Sequence, residues 1–325
     1  MKIWLRIYHI VDMETCGMGR IYEALYKTFL KMGIDIVLQN PNQRCIELII
    51  GGDWQPSKVN DINYNNILIG FTTGETNIKM MPYYELFDCF AVNSNYYRTR
   101  YNIDKPIYVW HLGFDSFYFP FINRNNDLFT FTHIGISQYR KGTHLACMAF
   151  DREFKNDNVY LEIISSGITE FYVSLKQQFQ YNTKIKFIDG YVKMADLYKR
   201  YDKDCLVFPS IREGWGLHLT EAMATGMPAI VSDLPVLREQ FNENCGWFID
   251  TSKDFEYIGG NLPDIYDLQK KMRYVYEHQE EAKIKGLNAH KHAHPYLTWE
   301  YGIMNGFIPI LKKFGLDIQD IQKWK

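Results

Sequence analysis

Two open α/β domains, each a mostly parallel sheet wrapped by helices, are what this sequence predicts, and three observations predict them. The chain has 325 residues, room for two domains of roughly 150 residues each. Strand-length apolar runs alternate with helix-length segments almost throughout, the mark of strand–helix–strand crossovers. The alternation halts once, at the polar stretch 123–127, and then restarts.

In the first part, strands are predicted near residues 3–10, 34–38, 47–50, 66–71, 90–92 and 107–111. Residues 20–32 make the first crossover helix: Ile21, Leu25, Thr28, Phe29 and Met32 share one face, and Gly33 stands behind as the cap. Residues 123–127 are the linker by composition. Beyond it, strands are predicted at 129–134, 160–165, 185–188, 206–208 and 229–232, with helices from His144, over 194–201 and over 219–225. Three helical segments close the chain, the last over 297–314. The domain boundary is placed at 122/123, with the second domain running to 305.

A formal net charge of −2 leaves no field for gathering nucleic acid or an anionic membrane. The first apolar run turns polar too soon for a signal peptide, and no run of 18 apolar residues occurs. A soluble cytoplasmic protein, or one peripheral to a membrane, is expected. Cys16, Cys45, Cys89, Cys147, Cys205 and Cys245 lie far apart with no CxxC pair, which suits reduced buried thiols rather than zinc or disulfides. His290, His292 and His294 alternate, and alternate helix positions do not share a face. No metal and no cofactor are expected.

The richest stretch is LVFPSIREGWGLHLTEAMATGMPAIVSD from Leu206. It reads as a buried strand, a glycine-containing loop, a short helix and a second buried strand. Gly214 and Gly216 let the loop backbone approach a ligand, and Gly226 followed by Pro228 ends the helix. Amides of this loop and helix start point into the crevice at the strand ends, where open α/β sheets bind ligands and where phosphate is favoured. Glu213 and Glu221 flank that turn, eight positions apart. Carboxylates there accept hydrogen bonds from hydroxyls. A nucleoside-diphosphate sugar has hydroxyls on both sides of its phosphates and suits such a pair.

Pro209, Ser210, Glu213, Gly214, Gly216, Leu217, Glu221, Ala222, Met223, Ala224, Gly226 and Pro228 together resemble the signature of the retaining glycosyltransferases of family 4. The resemblance runs over roughly residues 15–310 and implies the GT-B architecture: two Rossmann-like α/β/α domains facing a central cleft, with the last helix, about 306–325, packing back on the first. It implies that Glu213 contacts hydroxyls of the donor sugar and Glu221 the ribose, and that amides around Trp215–Leu217 hold the diphosphate or sugar. In THIGISQYRKGTHLACMAF, Gly135, Lys141 and Gly142 fit the family's diphosphate turn, which makes Lys141 the diphosphate lysine. Ile136 stands where the family has arginine; either Arg140 supplies that charge or one phosphate contact is lost. Gly190, Tyr191 and Val192 resemble the turn that meets the base through its backbone. Gly17 and Gly19, ahead of Arg20, resemble the family's first-domain glycine loop. Where many members carry a cleft histidine, this chain has Gly74 and Glu75; Glu75 is either a cleft residue or a buried or capping one.

A sugar–diphosphate bond breaks with negative charge growing on the leaving phosphate. Lys141, Arg140 and helix-end amides can absorb it electrostatically. The DxD-like Asp202–Lys203–Asp204 falls between a helix and a strand, so metal-independent transfer is expected, with Glu213, Lys141 and Glu75 as the catalytic candidates. The family implies a glycan or sugar acceptor and retention of configuration. GDP-mannose is the first donor and UDP-glucose the second, both common in the family, and a homodimer is left open. Two other readings stand beside transfer: a nucleotide-sugar-binding protein without catalysis, and an epimerase or phosphorylase of the same architecture.

Overall fold

The structure, a computed structural model, describes residues 3–7, 17–37, 43–50, 66–73, 78, 84–165, 167–190, 194–252 and 261–315. Two units form: residues 1–113 with 297–325, and residues 114–296.

In the first unit, β1 (Ile3–Ile7) leads to α1 (Gly17–Lys31), followed by β2 (Ile36–Val37), β3 (Ile46–Ile50), β4 (Ile67–Thr72), β5 (Cys89–Val92), α2 (Asn95–Arg100) and β6 (Ile107–Val109). The strands pair in the order β2-β1-β3-β4-β5-β6, and every pairing is parallel. β3 and β4 are buried at every position; parallel strands covered on both faces need such continuous apolar runs, which is why the sequence shows no alternation there.

The second unit holds β7 (Phe129–Ile134), α3 (Thr143–Glu153), β8 (Val159–Ser165), α4 (Glu170–Gln178), β9 (Ile185–Asp189), α5 (Met194–Leu197), β10 (Cys205–Phe208), α6 (Leu217–Ala224), β11 (Ala229–Ser232) and β12 (Gly246–Ile249). A short hairpin of β13 (Thr251–Ser252) and β14 (Leu262–Pro263) precedes α7 (Ile265–Glu277) and α8 (Gln279–Tyr296). The sheet runs β9-β8-β7-β10-β11-β12, all parallel. That is the doubly wound Rossmann order, and its direction of winding reverses between β7 and β10. Phe131, Leu161, Ile163, Val207 and Ile230 build the core beneath it.

The closing segment α9 (Trp299–Gly302), a π turn at Ile303–Phe307 and α10 (Ile308–Lys313) belongs to the first unit. Phe307 packs on Trp110 and Phe29, with ring centroids 5.2 and 5.8 Å away.

Several expectations shift. The chain leaves the first unit at 113/114 rather than 122/123, and returns at 296/297 rather than near 305. Arg124 donates to the carbonyls of Ile122, Tyr201, Lys203 and Thr225 and to Thr225 Oγ1. A polar stretch that composition marks as a linker is thereby clamped to the second unit. The helix expected at 194–201 is one α-helical turn continued by a 3-10 turn, Tyr198–Tyr201. α4 and β12 had no counterpart in the sequence reading; Thr169, which caps α4 by accepting from Tyr172 N at 3.0 Å, is the signal for the helix. Among the described residues, no helix is long and apolar enough to cross a membrane.

Candidate functional site

The winding reversal in the second unit sets two loops side by side at the C-terminal strand ends. One follows β7 (135–142) and the other follows β10 (209–216). This switch point is where doubly wound sheets open a crevice for ligands. The loops are stitched together: Ile211 N donates to Arg140 O at 2.8 Å. Gly142, at φ 68°, lies so close to the second loop that a Cβ on it would sit 1.9 Å from Pro209 O, so no side chain fits there.

Across this junction Lys141 Nζ donates to Glu213 Oε1 at 2.5 Å, and Ser210 Oγ donates to the same oxygen at 2.8 Å. Glu213 is only 4% exposed. Burial by itself would push its carboxyl up, but the Lys141 and Arg140 charges and the hydrogen bonds from Lys141 and Ser210 hold it below the ordinary range. The acid therefore stays ionised beside a lysine that has three donors to share. Arg140 also donates from Nη1 to Arg212 O at 3.4 Å.

The second loop ends at Gly216, φ 95°, which serves as the N-cap and starts α6 at Leu217, two residues before the expected position. Gln240, fully buried, donates to Trp215 O and accepts from Thr220 Oγ1 at 2.5 Å, bracing the loop against the helix. The helix then places His218 and Glu221, three positions apart, on one face. Tyr201 Oη donates to Glu221 Oε2 and lies 2.8 Å from His218 Nδ1, which is itself 3.3 Å from that carboxylate oxygen. Glu221 is wholly buried in this cluster, whereas the His218 side chain is 26% exposed. The carboxylate expected to meet the ribose is covered here by these neighbours. A Cβ placed on Gly135 would lie 3.6 Å from His218 Cδ2 and 3.9 Å from Nε2.

Beneath the loops, His133 ties β7 to β10 and to the first residue of α3. Its Nδ1 donates to Val207 O at 2.9 Å, which leaves Nε2 to accept from Thr143 Oγ1 at 3.0 Å. Burial pushes its imidazole down to about 4, so it is neutral near pH 7.

Of the residues expected from sequence, Arg140, Lys141, Glu213, Gly214, Trp215, Gly216, Leu217 and Glu221 gather at this switch point. Gly190 closes β9 at the far edge strand of the same sheet. Gly17 and Gly19 open α1 in the first unit. Glu75, Tyr191 and Val192 lie outside the described residues. Sequence reasoning missed Tyr201, Gln240 and His218; only His218 had a readable signal, its spacing of three from Glu221. Among the described residues, no group of three or more His, Cys, Asp or Glu could hold a metal. His290 instead bonds Ala224 O through Nδ1 at 2.7 Å. Asp204 accepts from Thr130 N and Asn126 Nδ2, an anchor between strands.

Two parallel Rossmann-type sheets in one chain are the GT-B class of fold. Residues 115–282 match the family described as glycosyl transferases group 1, and the chain belongs to that family. It is 27% identical over 179 residues to the serotype-specific mannosyltransferase WbdA of Escherichia coli, covering 53% of this chain and 20% of that protein. It is 34% identical over 123 residues to the O-antigen chain mannosyltransferase RfbU of Salmonella typhimurium, covering 37% of this chain and 34% of that one. The match thus spans only a fifth to a third of these curated relatives. Among solved structures, Anabaena Alr3699/HepE in complex with UDP and glucose is similar in fold, with a TM-score of 0.70 at 13% identity over 96% of this chain and all of that one.

Proposed function

We propose that this protein is a retaining glycosyltransferase of the family-4 kind that transfers mannose from GDP-mannose to a glycan acceptor without a metal ion. The observation that supports it most is the buried Lys141–Glu213 pair at the switch point. In this reading Lys141, Arg140 and the first amides of α6 take up the charge that grows on the leaving diphosphate. Glu213, ionised and held in place by Lys141 and Ser210, accepts hydrogen bonds from the sugar hydroxyls. Glu221, bonded by Tyr201 and three residues after His218 on α6, is the carboxylate that meets the ribose hydroxyls in this reading. The acceptor hydroxyl attacks the anomeric carbon on the face the diphosphate leaves. A bond to the acceptor oxygen forms, the bond to the phosphate oxygen breaks, and that phosphate oxygen takes the acceptor proton.

The names of WbdA and RfbU favour mannose as the sugar, with UDP-glucose the second donor. The test is to incubate the protein with GDP-mannose and, separately, UDP-glucose, with and without EDTA, and to follow nucleotide release against a panel of glycan acceptors. Transfer from one donor, unaffected by EDTA and reduced on the order of 10²–10³-fold in Glu213→Gln, is expected. Donor binding without transfer, equal in Glu213→Ala, would instead show a binding protein.

A further inference from the structure

We infer that Gln240 is a positioning residue for donor binding: it holds the Trp215–Gly216 peptide in the orientation that turns the Gly216 N–H toward the donor diphosphate. The inference rests on the reading above of the β7 and β10 loops as the diphosphate site. Gln240 lies outside the signature stretch, and it acts through the backbone rather than by touching the ligand.

Gly216 stands at φ 95° and ψ 56°, a left-handed residue directly ahead of the right-handed first turn of α6. Such a change of hand brings successive N–H groups together on one side of the chain, a concavity that suits an anion. The same glycine makes the arrangement reversible. Without a Cβ, it tolerates φ of either sign, so the peptide ahead of it can turn over with little backbone strain. A trans peptide points its C=O and N–H in opposite directions. The two orientations therefore offer an anion opposite ends: a donor in one, a carbonyl oxygen in the other.

Gln240 selects between them. Its Nε2 donates to Trp215 O, so that carbonyl is drawn toward Gln240 and the Gly216 N–H faces the other way. The side taken by the carbonyl is interior. Gln240 and Leu237 are fully buried, and a Cβ on Gly216 would lie 3.0 Å from Leu237 Cδ2 and 3.5 Å from Gln240 Nε2. The side-chain amide is oriented from its far end, where Thr220 Oγ1 donates to Gln240 Oε1 at 2.5 Å. Turned over, it would set Oε1 against the Trp215 carbonyl, two acceptors with no proton between them. The Gln240 backbone is anchored as well, its N–H donating to Leu237 O at 3.2 Å behind the 3-10 turn Leu237–Glu239. Gly216 also borders the lysine of the site. The Phe208 ring comes within 3.4 Å of the Gly216 Cβ position, and Lys141 Nζ lies 6.0 Å from the centroid of that ring.

The test is titration calorimetry of the full chain with GDP and with UDP, and with guanosine and uridine by competition, in wild type and Gln240→Met. That substitution keeps the side chain's length and removes both of its hydrogen bonds. For the base that wild type binds, the diphosphate should bind roughly ten- to a hundredfold more weakly in the variant, as for loss of a hydrogen bond to a charged group. The nucleoside should bind as before. A merely structural glutamine would weaken both alike. If Gln240→Met does not fold, Thr220 gives a second route: Thr220→Val frees the amide to turn and should lower diphosphate affinity several-fold, whereas Thr220→Ser keeps the hydroxyl and should match wild type. Equal diphosphate affinity in wild type and variant, or a parallel loss for the nucleoside, overturns the inference and leaves the transferase reading standing. Failure of wild type to bind either diphosphate removes that reading and the inference with it.

Discussion

The two carboxylates of the motif lie eight residues apart and are both buried, yet the protein keeps them in place by different means. Glu213 is held by a lysine cation and a serine hydroxyl reaching over from separate positions on two loops. Glu221 is held by a tyrosine hydroxyl and an imidazole. The first arrangement fixes an ionised group beside Lys141 and Arg140; the second covers a carboxylate with a hydroxyl and a partly exposed ring. The difference teaches that one signature holds its two buried carboxylates in two ways, one by an ion pair reaching across two loops and one by a hydroxyl and an imidazole.

The largest effect should come from breaking the first arrangement. Lys141→Met leaves Glu213 buried without its main counter-charge and should lower stability of the second unit by about 3–5 kcal/mol. Adding Glu213→Gln to it should restore much of that loss, since the orphan charge is gone; urea unfolding of the three variants measures both. The sign of the pH effect follows from the depressed Glu213 carboxyl. The unfolded chain binds this proton more tightly, so the group's stabilisation is present above the ordinary value of 4.5 and is lost as pH falls through the lower folded value. Unfolding midpoints of wild type and Glu213→Gln should therefore converge as pH drops below that range. Parallel curves there would mean the pair adds nothing net.

Breaking the second arrangement should cost less. Tyr201→Phe removes the hydroxyl from Glu221 but leaves the ring packed in T-shape against Phe119, centroids 5.7 Å apart. The expected loss is about 1–3 kcal/mol for a buried acceptor stripped of a donor. A loss as large as that of Lys141→Met would erase the contrast between the two carboxylates.

How much of this could be read from the chain depends on the range of the interaction. The strand–loop–helix–strand unit from Leu206 to Asp233 was legible because its punctuation is local: Gly226 takes φ 76° at the helix end and Pro228 follows it. The helix start was misplaced by two residues because a left-handed glycine replaced the usual polar N-cap side chain. Lys141 and Glu213 were each legible as site residues, but their direct contact across 72 positions was not. Tyr201 looked like any apolar residue of a helix end. Arg124 looked like linker polarity, because nothing in its neighbours reveals that carbonyls of Tyr201, Lys203 and Thr225 converge on it. The sheet order that creates the switch point is likewise a property of long-range pairing, seen only once β10 is found beside β7.

The smallest expected effect comes at the Gly135 turn, one residue along from the glycine that faces His218. Ile136 is 40% exposed, directly after Gly135, with its Cγ2 near Gly167. Ile136→Arg puts a permanent cation at the turn and should tighten donor binding by about 0.5–1 kcal/mol, roughly two- to fivefold, with little change in melting temperature. Arginine does not titrate in the accessible range, so its contribution should raise affinity equally at every pH. Weaker binding would place Ile136 among the apolar contacts that shape the turn, and the cations would then have to come from Arg140 and Lys141 alone.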